Sequence, residues 1–519
     1  GESIVWSAGF GYEDVEQKRP ASAQTVYRVG SVSKLFTDLA VMREVEEGRV
    51  ALDTPITKIL PDFHPHNPFD QPITLGQLMS HRSGLVREPP VGHYFDPTQP
   101  ALEATIASLN ETTLVYRPGS RTKYSNAGVS VVGYALSRMR GESFESLIER
   151  TLLQPMELTS TSFRLTPKLK PRAAVGWMWS YDGRRFAAPT FPLGTGPAGN
   201  LYSSVEDLAR FWTILFRGGK TKQGHVVVRP ETLEAMWTPQ RDAQGRPTSF
   251  GIGFHVQKLD GHRKVGHGGA IYGFATQLEG LPDEKLGVAA VAALDGANGV
   301  VTRLCEYALR LLLAQQAGNP LPDYERTKPI PRSVARKLAG TYTDGKRNVW
   351  LRELGGTLTL RSGVTETTVR QRADGSLVVD SPLAFGTPVK LENSTLHVGS
   401  RRYQRIDNGP PPPAPQRWQG LIGEYGWDHN TLYILEDHGQ LYALIEWFFY
   451  YPLKELSPTE FAFPDYGLYH GEEIVFRLGE DGRATEAIAA GIQFARRNVG
   501  TRSGETFRIQ PVRPVEELR

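Results

Sequence analysis

The sequence predicts an α+β chain. A large N-terminal domain combines a helical lobe with an antiparallel sheet flanked by helices, and two small antiparallel β-barrels follow it. Three observations carry this expectation. Four strand-like runs (Phe250 to Val256, Lys264 to Gly266, Phe274 to Leu278, Leu286 to Leu294) succeed one another with tight turns, as antiparallel strands require. From about Ala335 helical periodicity gives way to short runs rich in Val, Leu, Thr and Tyr, with turns such as Asp374-Gly375. Asn408-Gly409 and Pro410 to Pro413 then split this β region with a stiff spacer. Its halves read as a repeat, Leu338-Ala339-Gly340-Thr341-Tyr342 against Leu421-Ile422-Gly423-Glu424-Tyr425. The expected domains are residues 1–317, 333–407 and 418–512.

Length and composition agree with that division. A chain of 519 residues suits about three domains. The net charge of +3, with no basic block, gives no sign of a nucleic-acid partner. The longest apolar runs, such as Val288 to Leu294, are too short to span a bilayer as a helix. A single cysteine, Cys305, excludes an internal disulfide framework and a cysteine-based metal cluster. It lies on the apolar face of a helix-like run, Val300 to Leu313, and reads as core. His64-Pro65-His66 is a loop rather than a metal pair, because no matching carboxylate or cysteine motif accompanies it. No Walker or dinucleotide glycine pattern occurs between a strand and a helix. No metal and no cofactor are expected.

Taken in order, the chain opens with Ser3 to Ser7 and Phe10 to Tyr12, which read as a strand, with Gly1-Glu2 resembling a hairpin turn. Thr25 to Val29 is a short extended run. After it Gly30-Ser31-Val32-Ser33-Lys34 opens an amphipathic helix, with Leu35, Phe36, Leu39, Met42 and Val45 at helical spacing and a stop near Gly48. Helical patterns at Leu102 to Leu109, Val131 to Met139 and Phe144 to Leu153 make the lobe. Ser203 and Ser204, followed by Glu206 and Asp207, read as a capped helix start that continues through Leu208, Phe211, Trp212 and Leu215 to Gly218. A helix ending near Gln316 packs back on the sheet, and Pro320, Pro322, Pro329 and Pro331 mark the exit. Each β unit then offers an alternating strand (Val349 to Leu354, Leu432 to Leu435), a glycine turn and another strand, enough for about eight strands apiece. The aromatic group Tyr442, Trp447, Phe448, Phe449, Tyr450 and Tyr451 reads chiefly as barrel core, the alternative being a surface for a partner or for the mouth of a site.

The chemistry concentrates in three short motifs. Ser31 sits at a helix N-terminus, where unpaired N–H groups and the helix dipole favour developing negative charge. Lys34 lies one turn later on the same face, within reach of the serine oxygen. A serine hydroxyl needs such a partner to act as a nucleophile at neutral pH. Alone, S-x-x-K reads more readily as a serine cap with an exposed lysine. The other two motifs change that reading. Tyr124-Ser125-Asn126 lies on a loop that follows Pro118-Gly119-Ser120 and leads into a helix, and His267-Gly268-Gly269 lies between two strand-like runs.

S-x-x-K, then Y-x-N, then a K/H-x-G triplet on a strand resembles the serine β-lactamase and penicillin-binding-protein superfamily, most of all its class C-like branch with D-aminopeptidases and family VIII-type esterases. Ile73 to Leu85, Leu52-Asp53, Pro61-Asp62-Phe63, Pro155 to Leu158 and Ala198 to Leu201 are similar to that branch as well, so the likeness covers roughly residues 1–317. The resemblance implies a β-lactamase/transpeptidase-like domain, a helix and strand before Gly1 that this chain does not carry, and a periplasmic or secreted setting. The C-terminal units are similar to the lipocalin-like β domains appended to some members, serving as scaffold or as contacts in a homo-oligomer.

It also implies acyl transfer through a covalent ester on a small-molecule or short-peptide substrate. Ser31 attacks; Tyr124, made more acidic by Lys34 and His267, or Lys34 itself, takes the proton; Asn126 binds Lys34 or a substrate amide. The N–H groups of Ser31 and Ala270 form the oxyanion hole. His267, Gly268 and Gly269 bind substrate. Where the family carries Lys-Thr/Ser-Gly, His267 is a weak cation and Gly268 has no hydroxyl, so carboxylate capture is weakened. Small esters, amides and D-amino-acid peptides are therefore expected ahead of β-lactams or D,D-carboxypeptidase substrates. The rival of another class is a penicillin-binding sensor that does not turn over.

Overall fold

The computed structural model describes residues 3–181, 183–407, 409 and 413–497. Its N-terminal domain is built around the helix Ser33–Glu46, which is buried on nearly every side from Ser33 to Met42 and not along one stripe alone. Sequence periodicity predicts an amphipathic helix there. The structure instead seats it centrally, because Asn126–Arg140 and Gly196–Gly199 cover faces that would otherwise meet water. Phe36 meets Phe211 of Val205–Phe216 with ring centroids 4.7 Å apart. Thr37 donates to the Pro197 carbonyl at 2.7 Å.

The caps form where their residues allow. Ser204 Oγ accepts from the Asp207 N–H at 3.2 Å and starts Val205–Phe216. Thr74 and Gln77 make a reciprocal capping box on Leu75–Met79. Gly141, at φ +68°, ends Asn126–Arg140 in the left-handed conformation.

The sheet has four antiparallel strands in the order Leu286–Ala292, Phe274–Leu281, His262–Ile271, His255–Leu259. The central pair is long and in unbroken register from Val265↔Gly280 to Ile271↔Phe274. The helix Asn298–Ala317 lies across Phe274–Leu281 and Leu286–Ala292. Cys305 is buried there, as expected of core. Leu286–Ala292 is the sheet edge and is half-exposed throughout.

The opening of the chain corrects its sequence reading. Ser3 to Ser7 form no strand; the first strand is Tyr12–Asp14, paired with Arg19–Pro20. Val5, Trp6 and Phe10 stand 78%, 70% and 78% exposed. Without a partner ladder, an apolar run alone fixes no strand. The turn proposed at Gly1-Glu2 lies outside the described residues. The run Phe250 to Val256 is likewise not one strand, since the strand begins at His255 after a series of bends.

A short helix, Arg332–Leu338, leads into the β region where the sequence shows almost no helical signal. Eight strands from Gly340–Thr343 to Arg401–Ile406 pair in sequence order, and two pairings, Gly340–Thr343 with Asn348–Leu354 and with Arg401–Ile406, close them into a barrel. Its core is Tyr342, Leu351, Leu360, Val369, Val389 and Leu396, among others. The spacer expected at Pro410 to Pro413 falls largely outside the described residues.

The last strands repeat the plan. Gly423–Trp427, Asn430–Asp437, Gln440–Ile445 and Phe449–Pro452 join the first barrel through Thr365↔Phe449. Phe449–Pro452 runs on into Lys454–Ser457, the first of five further strands that end at Ile492–Ala495. The bridge Tyr425↔Arg496 returns that sheet to Gly423–Trp427. These strands enclose Leu432, Ile434, Leu441, Phe461, Ile474 and Phe494.

Candidate active site

Ser31 lies in the tight turn Gly30–Val32, two residues before the start of the buried helix Ser33–Glu46. Two glycines let this turn meet the sheet. Gly30 takes φ +54°, and a Cβ there would stand 3.1 Å from the Ala270 backbone. A Cβ on Gly269 would stand 2.0 Å from the Val29 carbonyl oxygen. The Ser31 turn therefore presses against the strand carrying His267-Gly268-Gly269, and Gly30, next to Ser31, meets Ala270.

Lys34 is fully buried, and its Nζ donates to Ser31 Oγ at 3.0 Å and to the Ala198 carbonyl at 2.8 Å. Burial brings the ammonium down to about 7, opposed by the Glu88 and Asp38 carboxylates and assisted by Arg87. A lysine in this state exchanges its proton near neutral pH. Its Nζ also stands 4.9 Å from the centre of the Tyr124 ring.

Tyr124 is hydrogen-bonded to Ser31, but burial outweighs that bond and the Arg87 charge, and its phenol is pushed well above its ordinary value. The expectation of a more acidic tyrosine is not met. Ser125 caps the following helix, accepting from the Gly128 N–H at 2.9 Å, and it donates to the Val86 carbonyl at 2.6 Å. Asn126 donates to Glu88 Oε1 at 2.5 Å and not to Lys34, while its Oδ1 is buried with no partner among the described residues.

His267 is buried, and its Nδ1 donates to the Gly268 carbonyl at 2.5 Å, which makes Nε2 the acceptor. Burial, then His255 and Lys34, hold its pKa well below the ordinary histidine value. The ring is therefore neutral near pH 7. It stands 6.1 Å from the Tyr124 ring. A Cβ on Gly268 would meet the flexible end of Gln277 at 3.0 Å and the Thr276 carbonyl oxygen at an ordinary 3.7 Å.

Several groups here carry no sequence signal. His81, left-handed at φ +55° and buried, stacks on Tyr124 at 4.3 Å, and its Nδ1 accepts from the Ser125 N–H at 3.2 Å. Arg87 places its guanidinium 5.9 Å from the Tyr124 ring and 5.3 Å from the Tyr469 ring. Tyr469 comes from the second C-terminal β unit, a contact between distant segments that no local motif announces. From the same unit, Trp447 donates to Asp295 Oδ2 at 2.9 Å beside the sheet, so it is not simple barrel core. Glu446 beside it is pushed up to about 7 by burial. Among the described residues, no group of His, Cys, Asp and Glu side chains is arranged to hold a metal ion, and no helix is long and apolar enough to cross a membrane.

A serine bonded to a buried lysine at a helix start, beside a tyrosine and a strand triplet, is the arrangement of the serine β-lactamase and transpeptidase superfamily. The chain belongs to the β-lactamase family, whose family model matches residues 1–311. It is similar to the human putative beta-lactamase-like 1, 29% identical over 367 residues, which cover 66% of this chain and 68% of that protein. It is also similar to protein flp of Staphylococcus aureus (strain N315), 28% identical over 206 residues, or 40% of this chain and 41% of flp. Among solved structures it resembles in fold the octameric penicillin-binding protein homologue from Pyrococcus abyssi, with a TM-score of 0.55 and 24% identity over 78% of this chain and 94% of that one.

Proposed function

We propose that this protein is a serine hydrolase of the class C-like branch that works through an acyl-enzyme on small esters or amides, D-amino-acid-containing peptides among them. The observation that carries the reading is the 3.0 Å bond from Lys34 Nζ to Ser31 Oγ, made by a lysine whose burial brings it to about 7. Lys34 accepts the Ser31 proton as Oγ attacks the carbonyl carbon. Tyr124, a neutral phenol hydrogen-bonded to Ser31, relays a proton to the leaving group. The Ser31 and Ala270 N–H groups hold the oxyanion, and Asn126 Oδ1 receives a substrate amide. Water then hydrolyses the ester. A neutral His267 in place of a lysine supports neutral substrates over β-lactams.

The test is a fluorophosphonate serine probe, followed by a panel of p-nitrophenyl esters, D-amino-acid anilides and a chromogenic cephalosporin. Labelling and turnover of an ester or anilide support the proposal. Labelling without turnover of any substrate marks a sensor, and no labelling of Ser31 overturns the assignment. Ser31→Ala should abolish labelling and keep the fold, since Ser31 makes no side-chain cap.

A further inference from the structure

Glu472, in the second C-terminal β unit, is 5% exposed and accepts two hydrogen bonds from different segments of the N-terminal domain. Its Oε1 takes the Arg87 backbone N–H at 2.9 Å, and its Oε2 takes Lys123 Nζ at 3.1 Å. Lys123, 1% exposed, also donates to the His470 carbonyl at 3.0 Å and the Leu468 carbonyl at 3.4 Å. Lys123 directly precedes Tyr124, and Arg87 directly precedes Glu88, which holds Asn126. Alongside, Tyr116 OH and His470 Nδ1 are 3.0 Å apart, and a Cβ on Gly471 would stand 2.4 Å from the Tyr116 oxygen. The contact thus admits no side chain at Gly471 without movement.

We infer that Glu472 is a positioning residue for the proposed acyl transfer. It clamps the segment bearing Arg87 and Glu88 to the segment bearing Tyr124 and Asn126, so the active site is complete only with the second β unit docked. The inference rests on the acyl-transfer reading for its rate measurements alone. Both ends of the clamp lie one residue from a site group, so a slip of the loop moves Tyr124 and Asn126 together relative to Ser31. Misplacement of about 1 Å costs on the order of a hundredfold in rate. Fold stability does not require this route, because a buried ion pair is often replaceable without loss of stability when no partner is left alone.

Two full-chain variants separate positioning from simple stability. Glu472→Gln keeps an acceptor for the Arg87 N–H and leaves Lys123 without its counter-charge. Lys123→Met with Glu472→Gln removes both charges and keeps that acceptor. The expected result for the double variant is a melting temperature close to that of the parent, with kcat for a p-nitrophenyl ester lowered at least about tenfold and KM changed less than about twofold. A double variant that recovers kcat together with its melting temperature overturns the inference, since the pair would then act through stability alone. Amide hydrogen exchange gives a readout independent of turnover. Residues 85–92 and 121–127 should exchange at least about tenfold faster in Glu472→Gln, and unchanged exchange overturns the clamp. A parent that fails to label at Ser31 sinks the hydrolase reading and leaves the exchange result to decide the clamp.

Discussion

Tyr342 in the first β unit and Tyr425 in the second each donate a hydroxyl hydrogen bond of 2.6 Å to the carbonyl four residues upstream, Leu338 and Leu421. Over each ring lies an arginine from the far end of its unit, Arg405 at 5.7 Å and Arg496 at 5.3 Å, and each arginine also bonds carbonyls beside the tyrosine. The corner ties the entry of each unit to its exit. The two units nevertheless meet the N-terminal domain differently. The first touches the helix Asn298–Ala317, through Arg303 to Asp380 at 3.2 Å and the Gly299 N–H to the Pro382 carbonyl at 2.7 Å. The second reaches the site itself through Trp447, Tyr469 and Glu472. A repeated scaffold thus meets the N-terminal domain at two different places.

The largest effect should come from the residue that the second unit holds in place. Tyr124→Phe is expected to lower kcat about a hundredfold or more with little change in KM, as loss of a proton-transfer group does. Near-normal turnover would leave Lys34 to manage both proton transfers and remove the reason for clamping that segment.

Specificity is the next lever. His267→Lys with Gly268→Thr restores a cation and a hydroxyl, and the tightest contact of a Cβ at 268 is the flexible end of Gln277 at 3.0 Å. Charged hydrogen bonds contribute about 1.5–3 kcal/mol, so the cephalosporin-to-ester ratio of kcat/KM should rise about ten- to a hundredfold. An unchanged ratio in a folded, labelled variant would assign specificity to the loops of the second unit.

The two corners allow a direct contrast. Arg496→Met strips bonds to Gly420, Ile422 and Ala484 carbonyls and to the Tyr425 hydroxyl, and should cost about 2–3 kcal/mol of stability. Arg405→Met, with fewer such bonds, should cost less. Measured by chemical denaturation and steady-state kinetics, only Arg496→Met should also lower kcat. Equal effects on kcat would erase the functional difference between the units. The smallest change is expected at the first unit's own contact: Arg303→Met should leave kcat within about twofold and shift stability by about 1 kcal/mol or less.

Much of this was legible in the sequence where a short stretch decides its own structure. The Ser31-to-Lys34 spacing places both groups on one helix face, the Ser204 cap starts its helix, and the two Gly-x-Tyr repeats mark the β units. What could not be read came from distant segments. Nothing local in Lys123 announces that Glu472 will bury it, and nothing in His81 shows that it will stack on Tyr124. The apolar run Ser3 to Ser7 fails as a strand for the same reason in reverse, because a strand exists only where another supplies its ladder. The acidity of Tyr124 was misjudged since neighbouring charge is visible in a motif and burial is not.

Acyl transfer requires Ser31 as a nucleophile activated by a lysine that has lost its proton. The most direct measurement is the rate of p-nitrophenol release in the first turnover of an ester as a function of pH, with intact mass and peptide mapping of the trapped adduct. Lys34 must be neutral to accept a proton, and burial brings it to about 7, opposed by Glu88 and Asp38 and reinforced by Arg87. The acylation rate should therefore be low below that pH, rise through it and level above it, with the adduct on Ser31 and the rising limb absent in Lys34→Arg. An adduct on another residue, or a rate indifferent to pH between about 5 and 9, would contradict the account.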